Sequence, residues 1–306
     1  MPLPPSGEQF EITRGRQRAV VVESGGGLRT YSVEGKDVLD GYELDAMCSG
    51  GRGQVLMPWP NRISDGRYAF DGQDQQLPLS EVANRNAIHG LVRWAPWTVR
   101  EREPSRVVLA YSLCPQPGYP FALELSIEYQ LADSGLIVRS SARNVGSERC
   151  PFGSGMHPYL TVGVAPIDSA TLVAPGRVHI RSDDRGIPVG RESVEGTGLD
   201  LRDPKPIGSV RLDDCFTELE RDTDGLAWVR LADPASDRSV SLWLDDACDY
   251  LMLFTGDTLP SRQRHAVAVE PMTCAPDAFN SGDGLVILEP GSTFSGAWGI
   301  RPGTLA

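Results

Sequence analysis

FALELSIEYQL, residues 121–131, is the run whose pattern decides the architecture. Phe121, Leu123, Leu125, Ile127, Tyr129 and Leu131 share one parity, while Glu124, Ser126, Glu128 and Gln130 share the other. Side chains along a strand alternate between two faces, so the run predicts a strand with one face in a core and one in water. Asp133-Ser134-Gly135 then supplies hairpin turn chemistry, and LIVRSSARN (136–144) returns as the partner strand. The same grammar recurs on both sides of this hairpin. RAVVVES and LRTYSV flank Gly25–Gly27, and LAWVRLA and RSVSLWL flank a turn at 233–237. SRVVLAYSL, ATLVAPGRVHI, DYLMLFTG and HAVAVEP each read as one further strand. Helical periodicity is confined to short turns near 42–47 and 276–280. Many strands at short spacing, punctuated by 33 glycines and 24 prolines, predict an all-β antiparallel sandwich. Neither a composition break nor a repeat divides the chain, so residues 1–306 are read as a single domain.

The formal charge of −12 repels nucleic acid and anionic membrane surfaces, which argues against both as partners. The N-terminal residues lack the apolar core of a signal peptide, and no run is apolar for the length of a membrane span; a cytoplasmic protein is expected. The six cysteines, at 48, 114, 150, 215, 248 and 274, have no C-x-x-C spacing and are read as buried small hydrophobes without disulfides. The sequence has no phosphate loop, dinucleotide fingerprint, serine-nucleophile elbow or metal-binding signature. GRG at 51–53 and GSG at 153–155 are too short for nucleotide binding.

Acid–base candidates remain. Of four histidines, His89 stands in NAIHGLVRWAPW and His157 in GSGMHPYL, both beside glycine or proline, and His179 and His265 lack such punctuation. Either a structural or a catalytic histidine fits those surroundings. Glu270 follows the alternation AVAV and precedes Pro271, which places it where a buried strand gives way to a loop. Desolvation there raises a carboxyl pKa toward the range of a general base, and an edge-of-sheet surface glutamate is the alternative. Asp213-Asp214 reads as a turn beside Cys215-Phe216, and Asp183-Asp184 and Asp245-Asp246 as solvated turns. Trp59, Trp94 and Trp97, close in sequence to Arg62 and His89, offer either core packing or apolar platforms for a sugar ring.

Taken in order, Asn61-Arg62-Ile63 with Gly66 and Phe70, Ile88-His89-Gly90 and Trp97, His157-Pro158-Tyr159, Asp214 in LDDCFT, and Glu270-Pro271 resemble the aldose 1-epimerase (galactose mutarotase) family from about residue 10 to 300. The resemblance implies a large twisted β-sandwich with a sugar in an open groove. It implies that Glu270 takes the proton of the C1 hydroxyl while His157 protonates the ring oxygen. The ring opens, the C1–C2 bond rotates, and the same pair in reversed roles closes the other anomer. By the same resemblance Arg62, His89, Asp214 and Asn61 bind the substrate, with Asp214 gripping hydroxyls away from C1, and neither cofactor nor metal is required. For the pair to work, His157 must carry a proton while Glu270 lacks one.

Where galactose mutarotases usually continue with glycine after His-Gly, this chain has Leu91-Val92-Arg93-Trp94. That is closer to hexose-6-phosphate 1-epimerases, which hold a phosphate with a nearby cation. YLMLFTGD also lacks the amide that some members place near the sugar. The expectation is an aldohexose mutarotase acting on the free sugar, with Arg93 packed at the surface between Trp94 and Trp97. Two alternatives stand: an epimerase for a phosphorylated or sulfonated sugar held by Arg93 with Arg85, and a carbohydrate-binding protein without turnover.

Overall fold

The run at 121–131 forms the strand Leu123–Ala132, and Gly135–Asn144 returns antiparallel to it; the computed structural model in which this is seen describes residues 3–304. Leu123, Leu125, Ile127, Tyr129 and Leu131 are buried, as the alternation requires. Ala132 faces Gly135 across the turn, and only glycine fits there: its φ is +131° and a Cβ would lie 2.1 Å from the Ile300 carbonyl oxygen.

This hairpin sits inside a nine-stranded antiparallel sheet ordered Thr98–Glu103, Arg106–Leu113, Leu123–Ala132, Gly135–Asn144, Thr293–Thr304, Arg238–Leu244, Ala227–Asp233, Thr171–Val173 and Lys205–Pro206. A second large sheet runs Pro188–Ser193, Gly176–Ser182, Asp213–Leu219, Tyr250–Phe254, Val267–Met272, Gly155–Met156 and Val55–Leu56, with Tyr159–Leu160 also paired to Val267–Met272. One apolar cluster joins them: Leu125, Ile127, Val229 and Leu242 from the first sheet, and Phe216, Leu251, Leu253, Val267 and Val269 from the second. Half of the chain is strand and 3% helix, a large antiparallel β-sandwich. The Gly25–Gly27 turn joins Gln17–Val22 to Leu28–Val33 in a separate four-stranded sheet.

Four local expectations change. ATLVAPGRVHI is two strands, Thr171–Val173 in the first sheet and Gly176–Ser182 in the second, because the chain crosses between sheets at Ala174-Pro175. Residues 42–47 form no helix, while Ala278–Ser281 is a single helical turn. Glu270 lies inside the strand Val267–Met272, all of it buried, and not at a strand end; Pro271 continues the strand. Cys114 is exposed and Cys48 only partly covered, so two of the six free cysteines are not core residues. Among the described residues no helix is long and apolar enough to cross a membrane.

The second sheet has two unlike faces, and this positions the site. Phe216, Leu251, Leu253 and Val269 point into the core, so the opposite parity, carrying Asp213, Cys215, Met252, Phe254 and Glu270, points away from it. That second face forms the floor of a groove.

Candidate active site

Strand register brings the proposed acid and base together. Gly155 faces Met272 and Tyr159 faces Ala268, so the intervening His157 falls directly across from Glu270. Pro158 interrupts the ladder at that point, and its carbonyl accepts from the Val269 amide instead. His157 Nε2 lies 3.3 Å from Glu270 Oε1. Next in the same row come Met252 and Cys215, while a second row holds Tyr159, Ala268, Phe254 and Asp213.

These rows floor a cavity of about 340 Å³, a size suited to one small ligand, which is also lined by Asn61, Arg62, Glu81, His89, Arg93 and Trp94. The strand Arg62–Ser64 pairs with Asn86–Ile88, with Arg62 opposite Ile88, and this brings the two sequence-distant stretches to one wall. Asn61 and His89 both adopt positive φ, 53° and 63°. The Asn61 amide donates to His89 Nδ1 at 3.1 Å, and the His89 amide donates to the Asn61 carbonyl at 2.8 Å. Burial, and after it the neighbouring His157, hold the His89 pKa well below its usual value. A neutral ring whose Nδ1 accepts carries its proton on Nε2, so His89 presents an N–H donor. Glu81 grips the Arg62 guanidinium at 2.9 and 3.0 Å, a fork-to-fork pair that fixes its plane. Asn86 in turn donates to Glu81 at 2.8 Å.

The pair itself is almost fully covered, Glu270 at 2% and His157 at 6% exposure. Burial, then the like charge of Asp213, raises the Glu270 pKa well above the ordinary carboxyl value, against the pull of Arg62. Burial, with the Arg93 and Arg52 charges adding to it, pushes His157 down to about 3. Both shifts run in the direction that favours a proton on Glu270 and a neutral His157 in the free protein, opposite to the charges that the acid and base roles call for. His157 Nδ1 and Glu270 Oε2 are buried with no hydrogen-bond partner among the described residues. Orphaned polar atoms of this kind are costly and mark sites that a ligand completes. His89, His157 and Glu270 also place one donor atom each within 4.8 Å of one another, the spacing a cation would need as well as the spacing a proton relay needs.

The wall behind His157 is built from glycine and a buried ion pair. A Cβ on Gly51, whose φ is +75°, would lie 2.6 Å from His157 Cδ2, so the backbone comes this close only without a side chain. Tyr159 stacks on His157 with ring centroids 5.0 Å apart, and Arg52 lies over Tyr159 at 4.7 Å. Arg52 is held by Asp40 at 3.1 Å, both being about 5% exposed.

Asn61, Arg62, His89, His157 and Glu270 thus line one cavity, and Asp214 does not. Neighbours along a strand point to opposite faces, so Asp213 takes the groove side and Asp214 turns away to His179 Nε2 at 2.8 Å. His179, bonded also to Glu192, is structural. Trp59 and Trp97 are core residues; Trp94, 52% exposed, is the tryptophan at the cavity. Arg93 is half-buried in the cavity lining and stacks on neither neighbouring tryptophan, against the surface-packing expectation. Arg85 is exposed, pairs with Asp65 and lies outside the cavity. Glu81, Gln54, Gly51 and Arg52 were not singled out in sequence, where their surroundings carry no signal; the GRG run at 51–53 was the nearest clue.

The family model for aldose 1-epimerase matches residues 8–301. An uncharacterized protein of Escherichia coli, YihR, is 34% identical over 94% of this chain and 90% of its own length. The aldose 1-epimerase of the same organism is 29% identical over 53% of this chain and 48% of its own. Among solved structures, an aldose epimerase homologue from C. elegans superposes with a TM-score of 0.87 at 18% identity, covering 98% of this chain and 99% of that one. On the match across nearly all of its length, the chain belongs to the aldose 1-epimerase family.

Proposed function

We propose that this protein interconverts the α and β anomers of an aldose by acid–base ring opening and closure, working as one domain. The observation that carries the reading is the His157–Glu270 pair, 3.3 Å apart, with two unpartnered polar atoms in a cavity of one-sugar size. Opening a hemiacetal needs one proton removed from the C1 hydroxyl and one delivered to the ring oxygen; the net proton count does not change. A pair holding one proton can do both. With the closed ring bound, Glu270 is ionised and His157 charged; once the ring opens, Glu270 holds the C1 proton and His157 has given its own to O5. Burial favours that second, uncharged arrangement, so the protein environment stabilises the pair in the form that accompanies the open-chain sugar. Rotation about C1–C2 then exposes the other carbonyl face, and the return transfers close the ring.

In this reading the His89 N–H and the Arg62 guanidinium hold ring or hydroxyl oxygens, and Asp213 accepts from hydroxyls in the position Asp214 was expected to fill. Asn61 acts through its peptide group by orienting His89. The arrangement favours turnover over binding alone, since a lectin-like groove gains nothing from a carboxyl and an imidazole of matched, displaced proton affinity. The test is two-dimensional exchange NMR at anomeric equilibrium. Cross-peaks between the α and β signals of an aldose that grow with micromolar protein support the proposal, and buffer rates across a panel of aldoses sink it.

A further inference from the structure

The turn at 183–187 joins Gly176–Ser182 to Pro188–Ser193 at the edge of the second sheet, and by its sequence it is a solvated acidic turn. Its tip, however, docks on the wall of the sugar cavity. Asp183 Oδ1 accepts from the Arg185 and Ile187 amides, both at 2.9 Å, and the Gly186 amide donates to the Asp183 carbonyl at 2.9 Å, so the turn is closed on itself. From this base the Arg185 guanidinium reaches the turns that border both wall strands. Its Nε donates to the Asn84 carbonyl at 2.9 Å, and its Nη2 lies 3.1 Å from Asp65 Oδ1, 3.2 Å from the Arg85 carbonyl and 3.3 Å from Asn86 Oδ1.

These contacts lead to Arg62. Asn86 is fully buried and its amide is completely used: one N–H goes to the Arg185 carbonyl at 2.9 Å, the other to Glu81 Oε2 at 2.8 Å, and its oxygen accepts from Arg185. Arg185 therefore decides which way that amide faces. Turned over, Asn86 would aim an oxygen at the Glu81 carboxylate, the group that holds the Arg62 fork. Gly186 makes a second, direct contact. Its φ is +76°, and a Cβ there would lie 2.6 Å from Arg62 Nη1 and 2.8 Å from Cζ, so bare backbone is packed against the guanidinium. Behind Arg62 lies a hollow of about 260 Å³, lined also by Asn84, Arg185, Gly186 and Asp213. Room to swing away from the sugar is thus present, and Glu81 and the hairpin tip hold the guanidinium at the cavity. The ion pair with Asp65 is not what makes Arg185 particular, because Arg85 also reaches Asp65 Oδ1, at 3.3 Å. What Arg185 alone supplies among the described residues is the partner of Asn86 Oδ1.

Building on the proposed anomerisation, in which Arg62 holds sugar oxygens, we infer that Arg185 is a positioning residue for the sugar site: it sets the Arg62 guanidinium through Asn86 and Glu81, with Gly186 fixing the opposite side. The tip of an edge hairpin is in this way a working part of a site whose cavity it does not line.

The experiment follows two readouts, the Arg62 Nε–H signal in proton–nitrogen NMR spectra, assigned by its loss in Arg62→Ala, and the kcat/KM for the aldose that exchanges fastest. The proteins are wild type, Arg185→Ala, Arg185→Lys, Arg62→Ala and the double alanine variant, with thermal melts confirming that each folds. Arg191→Ala, which removes the exposed Arg191–Asp283 pair from the same hairpin, is the control. Arg185→Ala should lower kcat/KM by about 10- to 100-fold and strip the Arg62 Nε–H of its protection against solvent exchange. Arg185→Lys should keep part of both, and carries the comparison if the alanine variant does not fold. Arg191→Ala should change neither. In the double variant the loss should equal that of Arg62→Ala alone, since without Arg62 there is nothing left to position. Wild-type kcat/KM in Arg185→Ala, losses that multiply in the double variant, or an equal loss in Arg191→Ala overturns the inference while leaving the anomerase reading intact. If the wild-type protein accelerates no aldose, that reading fails and the Nε–H signal still decides: protection lost in Arg185→Ala keeps the positioning of Arg62, and protection unchanged overturns it too.

Discussion

Glu270 and His157 each occupy a place where its ordinary charge is disfavoured, and their chemistry follows from that. Glu270→Gln keeps the shape and loses the proton, so exchange should fall by about 10²–10⁴-fold, as should His157→Asn. The glutamine variant should also be more stable. A carboxyl whose pKa is raised on folding binds more protons folded than unfolded, so it costs stability as pH climbs above about 4.5, by up to about 1.4 kcal/mol per pH unit until the folded pKa is passed. The amide has no such cost, and melting curves of the two proteins at pH 5 and pH 8 should show the variant's advantage growing with pH; an advantage that shrinks would contradict the burial argument. Activity should follow a bell in pH. Below the usual histidine range the pair keeps its single proton down to about 3, where His157 takes a second, and on the alkaline side activity fades as Glu270 loses the shared one. A rate that rises without limit toward alkaline pH contradicts the shared-proton pair. Because His89, His157 and Glu270 are close enough to hold a cation, exhaustive dialysis against a chelator is a separate check: full retention of activity is expected.

Elements, more than individual side chains, hold this pair in place. The register that sets His157 across from Glu270 is backed by the segment 48–54, whose Gly51 touches the imidazole edge-on and whose Arg52 closes the stack over Tyr159. Gly51→Ala should displace His157 and strain a left-handed backbone, costing about 1–3 kcal/mol and most of the activity. Alanine at Gly15, where nothing lies within 4 Å of the added carbon, keeps the site and pays only for its own φ of +56°; equal loss of kcat in both variants would refute the steric account. Asp40→Asn leaves the buried Arg52 guanidinium short of a counter-charge and should destabilise by about 3–5 kcal/mol in urea titrations. The exposed pair Arg14–Asp133 is at the other extreme, and its removal should leave the urea midpoint nearly unchanged.

On the scale of the whole molecule, two large sheets share one core, and the groove lies on the outer face of the second. Stability and chemistry are therefore separable. Ile127→Ala, deep in the nine-stranded sheet, should cost about 2–5 kcal/mol while leaving the exchange rate per folded molecule unchanged. A large fall in kcat with full folding would mean that the far sheet controls the groove.

What the amino-acid order determined unaided was the strand pattern and the chemistry on offer. Alternation with a period of two is local, so the hairpin at 123–144, the Gly25–Gly27 turn and the strand at 250–254 were legible from neighbours along the chain. His89, His157 and Glu270 stood out because glycine, proline and apolar runs surround them. Local reading failed where a fact depends on which strand lies alongside. Pro271 resembles a strand end, yet pairing with Leu251 carries the strand onward; Ala174-Pro175 resembles a continuation, yet the chain changes sheets there. Asp213 and Asp214 are equivalent as a sequence, and only the burial of Phe216 on one face decides that Asp213 meets the groove and Asp214 meets His179. The charges of Arg62 and Arg93 are likewise identical until folding brings Glu81 to one and only an amide to the other. Desolvation is a property of everything packed around a group, so the directions in which His157 and Glu270 are shifted, one down and the other up, were decided by tertiary structure alone.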